Sequence, residues 1–420
     1  MPEASLPSIG DLHDDQIVAL LRSGAHAALL IAYFGEPEYR ELSQLAKLAA
    51  TRRNPRGRRV FVLPGIMGSR LGLVARRSYS LLWLHPTALA NGELTQLAMP
   101  GSRALRAVGV MLPGYLKLRL RLEIAGFRPL FCPFDWRHDI ERLARAFVRT
   151  VELAGERKAL VVGHSMGGLV ARAALAHDRQ RRIARLIQLG APNDGSFAPL
   201  QALRAVYPTV RKIAALDRNH TAEDLARTVY HTLPGIYQML PGAGELDLFD
   251  PRQWPMDELA PDPQLLARAR RVRARLPAAD ARCSVIIGVG QETIVSATVR
   301  DRAFEYEYRA EGDGTVPLTR ARWSEAPTWF VNENHGALTQ NDVVLAAVAD
   351  ILKSGDTRRL RTTAPRAPDT ATRRVTDDQL RAVALHKMQW DRLSLESRRR
   401  ILEPVMTPEF MGDKGDEVMR

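Results

Sequence analysis

The chain has 420 residues, of which 45% are hydrophobic and 25% are charged, with 29 Gly and 26 Pro. This balance is typical of a folded enzyme with a sizeable hydrophobic core, and it excludes a disordered or fibrous chain. The formal net charge of +13 comes from arginines scattered over the whole length. We interpret this excess as a compositional bias, and we expect no nucleic acid as a partner.

Two local arginine groups, at residues 52–59 and 268–275, support one hypothesis about partners. They would lie against the headgroups of an anionic membrane as a peripheral contact. Membrane binding that did not weaken with added salt would contradict this hypothesis.

The first residues are polar and acidic, and they lack the basic start and apolar run of a secretory signal. No apolar patch there approaches the roughly 20 residues that a membrane-spanning helix needs. Only two cysteines occur, so we expect neither a disulfide framework nor a stabilising metal. These features predict a cytoplasmic protein that touches a membrane peripherally if at all.

Taken in chain order, the first predicted elements are a pair of helices over residues 11–50, with a break at Gly35 and Pro37. We assign residues 1–56 to an N-terminal helical extension. After an arginine-rich linker, apolar strands alternate with amphipathic helices. The predicted strands cover residues 60–63, 127–132, 159–162, 183–189, 284–289, 304–308 and 328–331, and the helices cover residues 115–125, 140–153, 169–176 and 342–352.

This alternation predicts an α/β domain over residues 57–353, with a mostly parallel central sheet and helices on both faces. The rhythm stops at about residues 196–281, a Pro-containing stretch with an arginine-rich helix predicted over 265–276. We interpret this stretch as an inserted cap. Residues 354–420 are assigned to a polar linker and a C-terminal helix, which is predicted from residue 377 to about residue 402.

The strongest chemical signal is the sequence GHSMGG at residues 163–168. An apolar strand precedes it and a helix follows it, which is the context of a nucleophile elbow. Small residues two positions before and after Ser165 let the serine stand on a sharp turn. A glycine-rich turn with an incidental serine is the alternative, but it does not explain why both flanks match. The sequence therefore predicts Ser165 as the nucleophile.

A serine nucleophile needs a general base, and the base needs a group that orients it. With an elbow of this type, the partners follow in the order serine, acid, histidine. Asp313 lies in the tight EGDGTVP loop after the strand predicted at 304–308, and His335 lies in the NENHG sequence after the strand at 328–331. A solvated turn is the usual alternative for an Asp-Gly pair, and a structural role is the usual alternative for a lone histidine. Competing histidines fit less well, since they adjoin the nucleophile or lie in the predicted cap: His164, His220 and His231.

The reaction also needs preorganised donors for the oxyanion. The backbone N–H of Met166, directly after the nucleophile, is the first expected donor. The second should come from the PGIMGS loop at residues 64–69, where we choose Ile66 because the flanking glycines permit a close backbone approach. A plain hairpin-like turn is the alternative interpretation of this loop.

These motifs together resemble the lecithin:cholesterol acyltransferase and phospholipid:diacylglycerol acyltransferase family, which includes lysosomal-type phospholipases. The matching stretches occur in the family's order: VLPGIMGSRL at 62–71, LWLHP at 82–86, CPFDWR at 132–137, the elbow, LGAP at 189–192, and the acid and histidine loops. The resemblance implies an α/β-hydrolase fold, a cap over an acyl-binding track, and hydrolysis or transfer of a fatty acyl group through an acyl-serine intermediate.

The resemblance also carries residue roles onto matching positions. It implies a catalytic triad of Ser165, Asp313 and His335, with Met166 and Ile66 at the oxyanion. It further implies a substrate pocket shaped by Met67, Trp83, Asp135, Trp136 and Arg137, in which a buried Asp135 would pair with Arg137. No metal or organic cofactor is required for this chemistry.

Two rival functions remain open at this level. A short-chain carboxylesterase, thioesterase or amidase would use the same triad, since the triad does not select the acyl group. A non-catalytic lipid-binding protein with a hydrolase fold would lack a nucleophile, acid or base, whereas candidates for all three occur here.

Overall fold

The computed structural model describes residues 12–76, 78–242, 244, 246–366, 372–383, 387–388, 394 and 397. The strands are β1 (Arg59–Leu63), β2 (Ser69–Val74), β3 (Tyr79–Trp83), β4 (Leu105–Val110), β5 (Arg128–Phe131), β6 (Ala159–His164), β7 (Ile183–Leu189), β8 (Cys283–Val289), β9 (Gln291–Arg300), β10 (Ala303–Gly312), β11 (Thr328–Asn332) and β12 (Arg373–Thr376).

The α-helices are α1 (Asp14–Ser23), α2 (Ala27–Phe34), α3 (Glu36–Arg52), α4 (Pro86–Ala90), α5 (Leu112–Ile124), α6 (Ile140–Leu153), α7 (Met166–Leu175), α8 (Ala198–Leu203), α9 (Pro208–Leu216), α10 (Ala222–Thr228), α11 (Pro234–Gln238), α12 (Pro263–Arg273), α13 (Leu318–Ala321), α14 (Asp342–Ser354) and α15 (Asp377–Ala382). Short 3-10 helices cover Glu93–Leu97, Tyr230–Thr232, Pro251–Gln253 and Gly336–Thr339.

The central sheet positions the site. Within the described residues it contains six strands in the order β11-β8-β7-β6-β1-β5, and every neighbouring pair is parallel. In this sheet, β5 pairs with one side of β1, and the next strand of the chain, β6, pairs with the other side of β1. In open parallel sheets, ligands bind at the carboxyl ends of the strands where the order reverses in this way. That crevice lies between the loops that follow β1 and β6.

Helices cover both faces of this sheet, so successive side chains of a strand are buried in two different apolar layers. Val60 and Val62 of β1 pack with α5 and α14, whereas Phe61 and Leu63 pack with α6 and α7. This alternation follows from the two-residue period of a strand. The helices of the inserted cap, α8 to α12, lie between β7 and β8 in the chain. The architecture confirms the prediction of an α/β-hydrolase fold with an inserted cap and helical extensions.

The N-terminal extension differs in detail from the predicted helical pair. It forms α1, α2 and α3, because Gly24 adopts a φ of 76° and ends the first helix before the break at Gly35. These helices bury Leu21, Leu30 and Leu42 against α5. Among the described helices no single one is long and apolar enough to cross a membrane, although α1 and α2, bent by 118°, pass that test as a pair.

Two antiparallel sheets lie outside the predicted pattern. One has the strand order β3-β2-β4, and the other has the order β12-β10-β9. The strand predicted at residues 304–308 is therefore part of β10 and does not complete the central sheet, contrary to the expectation from the alternating pattern. Residues predicted as linker contain β12, whose Arg373 and Arg374 are exposed and give no apolar alternation. Of the predicted C-terminal helix, α15 is described and most of the remainder lies outside the described residues.

The C-terminal segment is tied to the cap and to β10 by a buried carboxylate. Asp377 is completely buried and accepts hydrogen bonds from Tyr306 Oη at 2.6 Å and Arg204 Nε at 2.9 Å. The same guanidinium donates two bonds to Asp257 of the cap, at 2.8 and 2.6 Å. Arg204 therefore joins the cap to the C-terminal segment through a guanidinium that water does not reach.

We expect Asp377→Asn to lower the free energy of unfolding by about 3 kcal/mol, because it leaves a buried guanidinium with only part of its counter-charge. Urea denaturation measures the change. Asp378→Asn is the matched control, since its side chain is 74% exposed, and it should stay within about 0.5 kcal/mol of the parent. Equal unfolding midpoints for the two variants would contradict the assigned role of Asp377.

Candidate active site

Ser165 stands on the sharp turn between β6 and α7. Its backbone has φ 51° and ψ −125°, a region that side-chain-bearing residues rarely adopt. The turn closes only with small neighbours: a Cβ added to Gly163 would lie 2.7 Å from the carbonyl oxygen of Gly167. A Cβ on Gly167 would lie 2.3 Å from the carbonyl oxygen of Pro64. These contacts explain why the sequence places glycine on both sides of the serine.

Asp313 and His335 meet at the same edge of the sheet. His335 Nδ1 donates to Asp313 Oδ2 at 2.7 Å, and the His335 backbone N–H donates to the Asp313 carbonyl at 2.8 Å. The other carboxylate oxygen accepts the N–H groups of Thr315 and Val316 at 3.0 and 2.7 Å. Both partners are buried. Because Nδ1 carries the shared hydrogen, Nε2 is left with a lone pair that can accept a proton.

Ser165 and His335 line one cavity, together with residues of the cap and of the loop at residues 64–69, called the oxyanion loop below because it carries the predicted donor Ile66. No hydrogen bond joins Ser165 Oγ to His335 among the described residues. Bonds of this kind often form fully only when the substrate is bound. The arrangement therefore presents a hydroxyl and an oriented imidazole to the same small space.

The cavity beside Ser165 has a volume of about 70 Å³. The cap contributes apolar side chains to its wall: Ala198, Pro199, Ala202, Ile236 and Met239. Ligand pockets typically hold about 300–1,000 Å³. This volume is thus too small for a long acyl chain unless the residues around it move apart.

The two predicted oxyanion donors come from the start of α7 and from the loop at residues 64–69. Met166 is the first residue of α7, and the N–H groups of a first helical turn have no intrahelical acceptor. Ile66 lines the cavity. The adjacent Gly65 N–H is already donated to Tyr115 Oη at 2.7 Å, so it does not compete with Ile66 for this role.

Only Met67 of the predicted pocket residues lines this cavity in the described structure. Trp83 lies behind the loop and donates its Nε1–H to the Met67 carbonyl at 2.9 Å. The Trp136 ring meets the Trp83 ring edge to face, with centroids 5.3 Å apart. Arg137 and Asp135 form a two-bond ion pair at 2.8 and 2.7 Å. Trp136 likewise donates to the Ser69 carbonyl at 3.2 Å, at the end of the 64–69 loop. Arg137 instead donates to the carbonyls of Leu97 and Leu105, at 3.5 and 3.4 Å. Within the described residues, none of these four side chains lines the cavity.

His164 has a structural importance that its sequence position did not reveal. Its Nδ1 lies 2.9 Å from Tyr115 Oη and its Nε2 lies 3.0 Å from the His335 carbonyl oxygen. Burial, aided by repulsion from His335, lowers the pKa of His164 to about 3. Tyr115 lies far from His164 in the chain, so no local signal announces the contact.

Charged groups around the cap are mostly paired with one another. The arginine group at residues 268–275 contributes three ion pairs shorter than 3 Å, to Asp139, Asp247 and Asp194. At the end of α3 and in the linker before β1, by contrast, four arginines are exposed: Arg52, Arg53, Arg56 and Arg58. Across the described residues, no group of three or more His, Cys, Asp or Glu side chains is arranged to hold a metal ion.

Comparison with known proteins gives one family match. The family model described as the PGAP1-like alpha/beta domain matches residues 140–249. These residues begin at α6, include the Ser165 elbow and end in the cap. No curated protein matches the chain.

Several solved structures share coarse similarity with this chain. The Tle4–Tli4 complex matches at 13% identity and a TM-score of 0.45, covering 71% of this chain and 98% of that chain. The mature form of the Bacillus licheniformis lipase BlEst2 matches at 14% identity and a TM-score of 0.38, and the match covers 71% of this chain and 94% of that chain. The propeptide form of the same lipase matches at 15% identity and a TM-score of 0.39, and the match covers 76% of this chain and 53% of that chain. Likeness at this level does not extend to substrates or partners.

Burial of neutral His164 makes stability depend on pH. The unfolded chain binds a proton at this residue below its ordinary pKa of 6.5, whereas the folded chain does so only near about 3. The free energy of unfolding should therefore fall with acidification through this window, with a limiting slope of about 1.4 kcal/mol per pH unit.

Urea titrations at about pH 7 and about pH 5 test this expectation. His164→Gln should lose part of the acid-induced destabilisation, because glutamine does not titrate. His177→Gln, at a partly exposed histidine, serves as the control. An unchanged pH slope in His164→Gln would contradict the prediction.

Proposed function

We propose that this chain is a serine-dependent hydrolase or acyltransferase that acts on lipid esters through an acyl-serine intermediate. The observation that carries the proposal is the strained Ser165 turn, which opens onto an apolar cavity that also receives an imidazole oriented by a buried carboxylate. Such a constellation is recognised by geometry and roles, not by position in the chain. The family resemblance of the motifs agrees with it.

In the proposed reaction, His335 Nε2 accepts the Ser165 proton while Oγ attacks the ester carbonyl carbon. The N–H groups of Ile66 and Met166 stabilise the developing oxyanion. Asp313 holds the imidazole in the required tautomer and stabilises its protonated form. His335 then returns the proton to the leaving alcohol. Water or a second alcohol attacks the acyl-serine with the same base, which releases the acid or a new ester.

The lining of the cavity supports an apolar acyl group as the part of the substrate that is recognised. It includes the apolar cap residues named above and Met67, next to Ser196, Tyr207 and Thr209 of the cap. Burying each methylene of an acyl chain contributes about 0.8 kcal/mol, and only a cap that moves would allow many of them to be buried here. We therefore propose that the cap opens when a lipid ester binds.

The small volume of the cavity favours a second candidate function. A volume of about 70 Å³ suits a short acyl group without any movement of the cap. In that case the chain would be a short-chain carboxylesterase, with the same triad and the same acyl-serine step.

Ser165→Ala should reduce ester turnover to the residual level that oxyanion stabilisation and binding supply, because the attacking oxygen is gone. Product release is followed with a chromogenic ester, and a fluorophosphonate probe reports the reactive serine. Ser43→Ala is the control, since Ser43 is a buried serine on α3, and it should keep both activities. Persistent probe labelling of Ser165→Ala would refute the assignment of the nucleophile.

A series of p-nitrophenyl esters from acetate to octanoate separates the two candidate functions. For a lipid esterase whose cap opens, kcat/KM should rise by about tenfold or more along the series, because added methylenes are buried in the transition state. A decline beyond butyrate would favour the short-chain esterase instead. Mass spectrometry of products from mixed lipids with and without added alcohols then distinguishes hydrolysis from acyl transfer.

A further inference from the structure

We propose that Tyr115 and His164 are positioning residues, which act as a buried hydrogen-bonded chain holding the oxyanion loop and the His335 loop on either side of Ser165. This inference rests on the proposed function and deepens it. The two side chains act through the backbones of Gly65 and His335 and take no proton in the reaction.

The direction of every hydrogen bond in this chain is determined. The His335 carbonyl only accepts, so His164 Nε2 must carry the hydrogen of the 3.0 Å contact. In the neutral imidazole Nδ1 then only accepts, and the Tyr115 hydroxyl donates to it at 2.9 Å. The same phenolic oxygen accepts the Gly65 N–H at 2.7 Å. Each donor and acceptor from Gly65 to His335 therefore has a partner of the required kind.

Burial keeps both side chains in the required protonation states. His164 is 3% and Tyr115 is 4% exposed. The low pKa of His164, caused by this burial, keeps the imidazole neutral over the working range of most enzymes. Burial also raises the pKa of Tyr115 above its ordinary value, so the phenol keeps its proton.

At one end, the hydrogen bonds of Tyr115 and His164 fix the loop that presents Ile66. The Gly65 N–H is held by Tyr115 and the Gly65 carbonyl accepts from the Gly68 N–H at 3.1 Å. On the other side, the Met67 carbonyl is held by Trp83 at 2.9 Å. Because both neighbours of Ile66 are held, the direction of its own N–H is constrained.

At the other end, the same hydrogen-bonded residues complete the restraint of His335. The backbone N–H of this residue donates to Asp313 and its carbonyl accepts from His164. The following turn is joined to α5, which carries Tyr115, by the bond from Thr339 Oγ1 to the Gly114 carbonyl at 2.7 Å. Displacements of about 1 Å in such a group can cost about 100-fold in rate. Loss of the hydrogen bonds through Tyr115 and His164 should therefore lower kcat more than it changes KM.

Three substitutions separate positioning from plain structural support. Tyr115→Phe removes the hydroxyl that joins Gly65 to His164. His164→Asn keeps an acceptor near Nδ1 but does not reach the His335 carbonyl. His164→Gln places an amide N–H near the former Nε2 and restores that bond. The matched control is Tyr237→Phe, because the buried Tyr237 hydroxyl also donates to a carbonyl, that of His231 at 3.0 Å, and accepts an N–H, that of Asp262 at 3.2 Å.

We expect Tyr115→Phe and His164→Asn to lose about 10- to 100-fold in kcat with KM within about threefold. His164→Gln should recover kcat to within about fivefold of the parent, and Tyr237→Phe should match the parent. The assay is ester turnover with full-length protein at a temperature at which circular dichroism shows every variant folded. The rate of fluorophosphonate labelling at Ser165 provides a second readout.

The outcomes distinguish this inference from the function on which it rests. A parent protein without turnover and without labelling at Ser165 would overturn both. Normal activity in Tyr115→Phe and His164→Asn would overturn the positioning chain alone. The same conclusion would follow if His164→Gln were as impaired as His164→Asn, or if Tyr237→Phe fell to the level of Tyr115→Phe.

Discussion

The candidate site depends on one close approach, that of the first turn of α7 to the loop after β1. The carbonyl oxygen of Pro64 lies only 2.3 Å from the point that a Cβ on Gly167 would occupy. This contact holds Ser165 in a backbone conformation that costs on the order of 1–3 kcal/mol and that buried surroundings must sustain. Buried β6 and α7 supply those surroundings. The oxyanion loop and the acid–base pair are arranged around this serine.

Parallel pairing explains why distant residues converge there. Strands β1, β6 and β11 run in the same direction, so Ile66, Ser165 and His335 follow their carboxyl ends at one edge of the sheet. Asp313 arrives differently, at the end of β10 in a separate antiparallel sheet, and reaches His335 through side-chain and backbone hydrogen bonds. The proposed triad would therefore draw on two sheets, and the backbone hydrogen bond between Asp313 and His335 fixes the position of one sheet relative to the other.

The cap and the C-terminal segment form a second level of organisation around this edge. Apolar cap residues line the cavity beside Ser165. Arg204, at the end of α8, binds both Asp257 of the cap and Asp377 of the C-terminal segment. Because Asp377 also accepts from Tyr306 of β10, the strand that leads to Asp313 shares its support with the cap. The cap and the strand that leads to Asp313 are thus joined by one buried network of hydrogen bonds and ion pairs.

The sequence by itself determined the features that depend on local pattern. The alternation of strands and helices, the GHSMGG elbow, and the order of Ser165, Asp313 and His335 all follow from periodicity and from glycines at set offsets. Only the tertiary structure decided which distant segments meet: that β10 leaves the central sheet, that Trp83 and Trp136 bond the backbone of residues 67–69, and that His164 joins Tyr115 to His335. The physical reason is that an alternating strand or a lone polar residue has the same local pattern whatever partner it finds, and the partner is selected by packing of the whole chain.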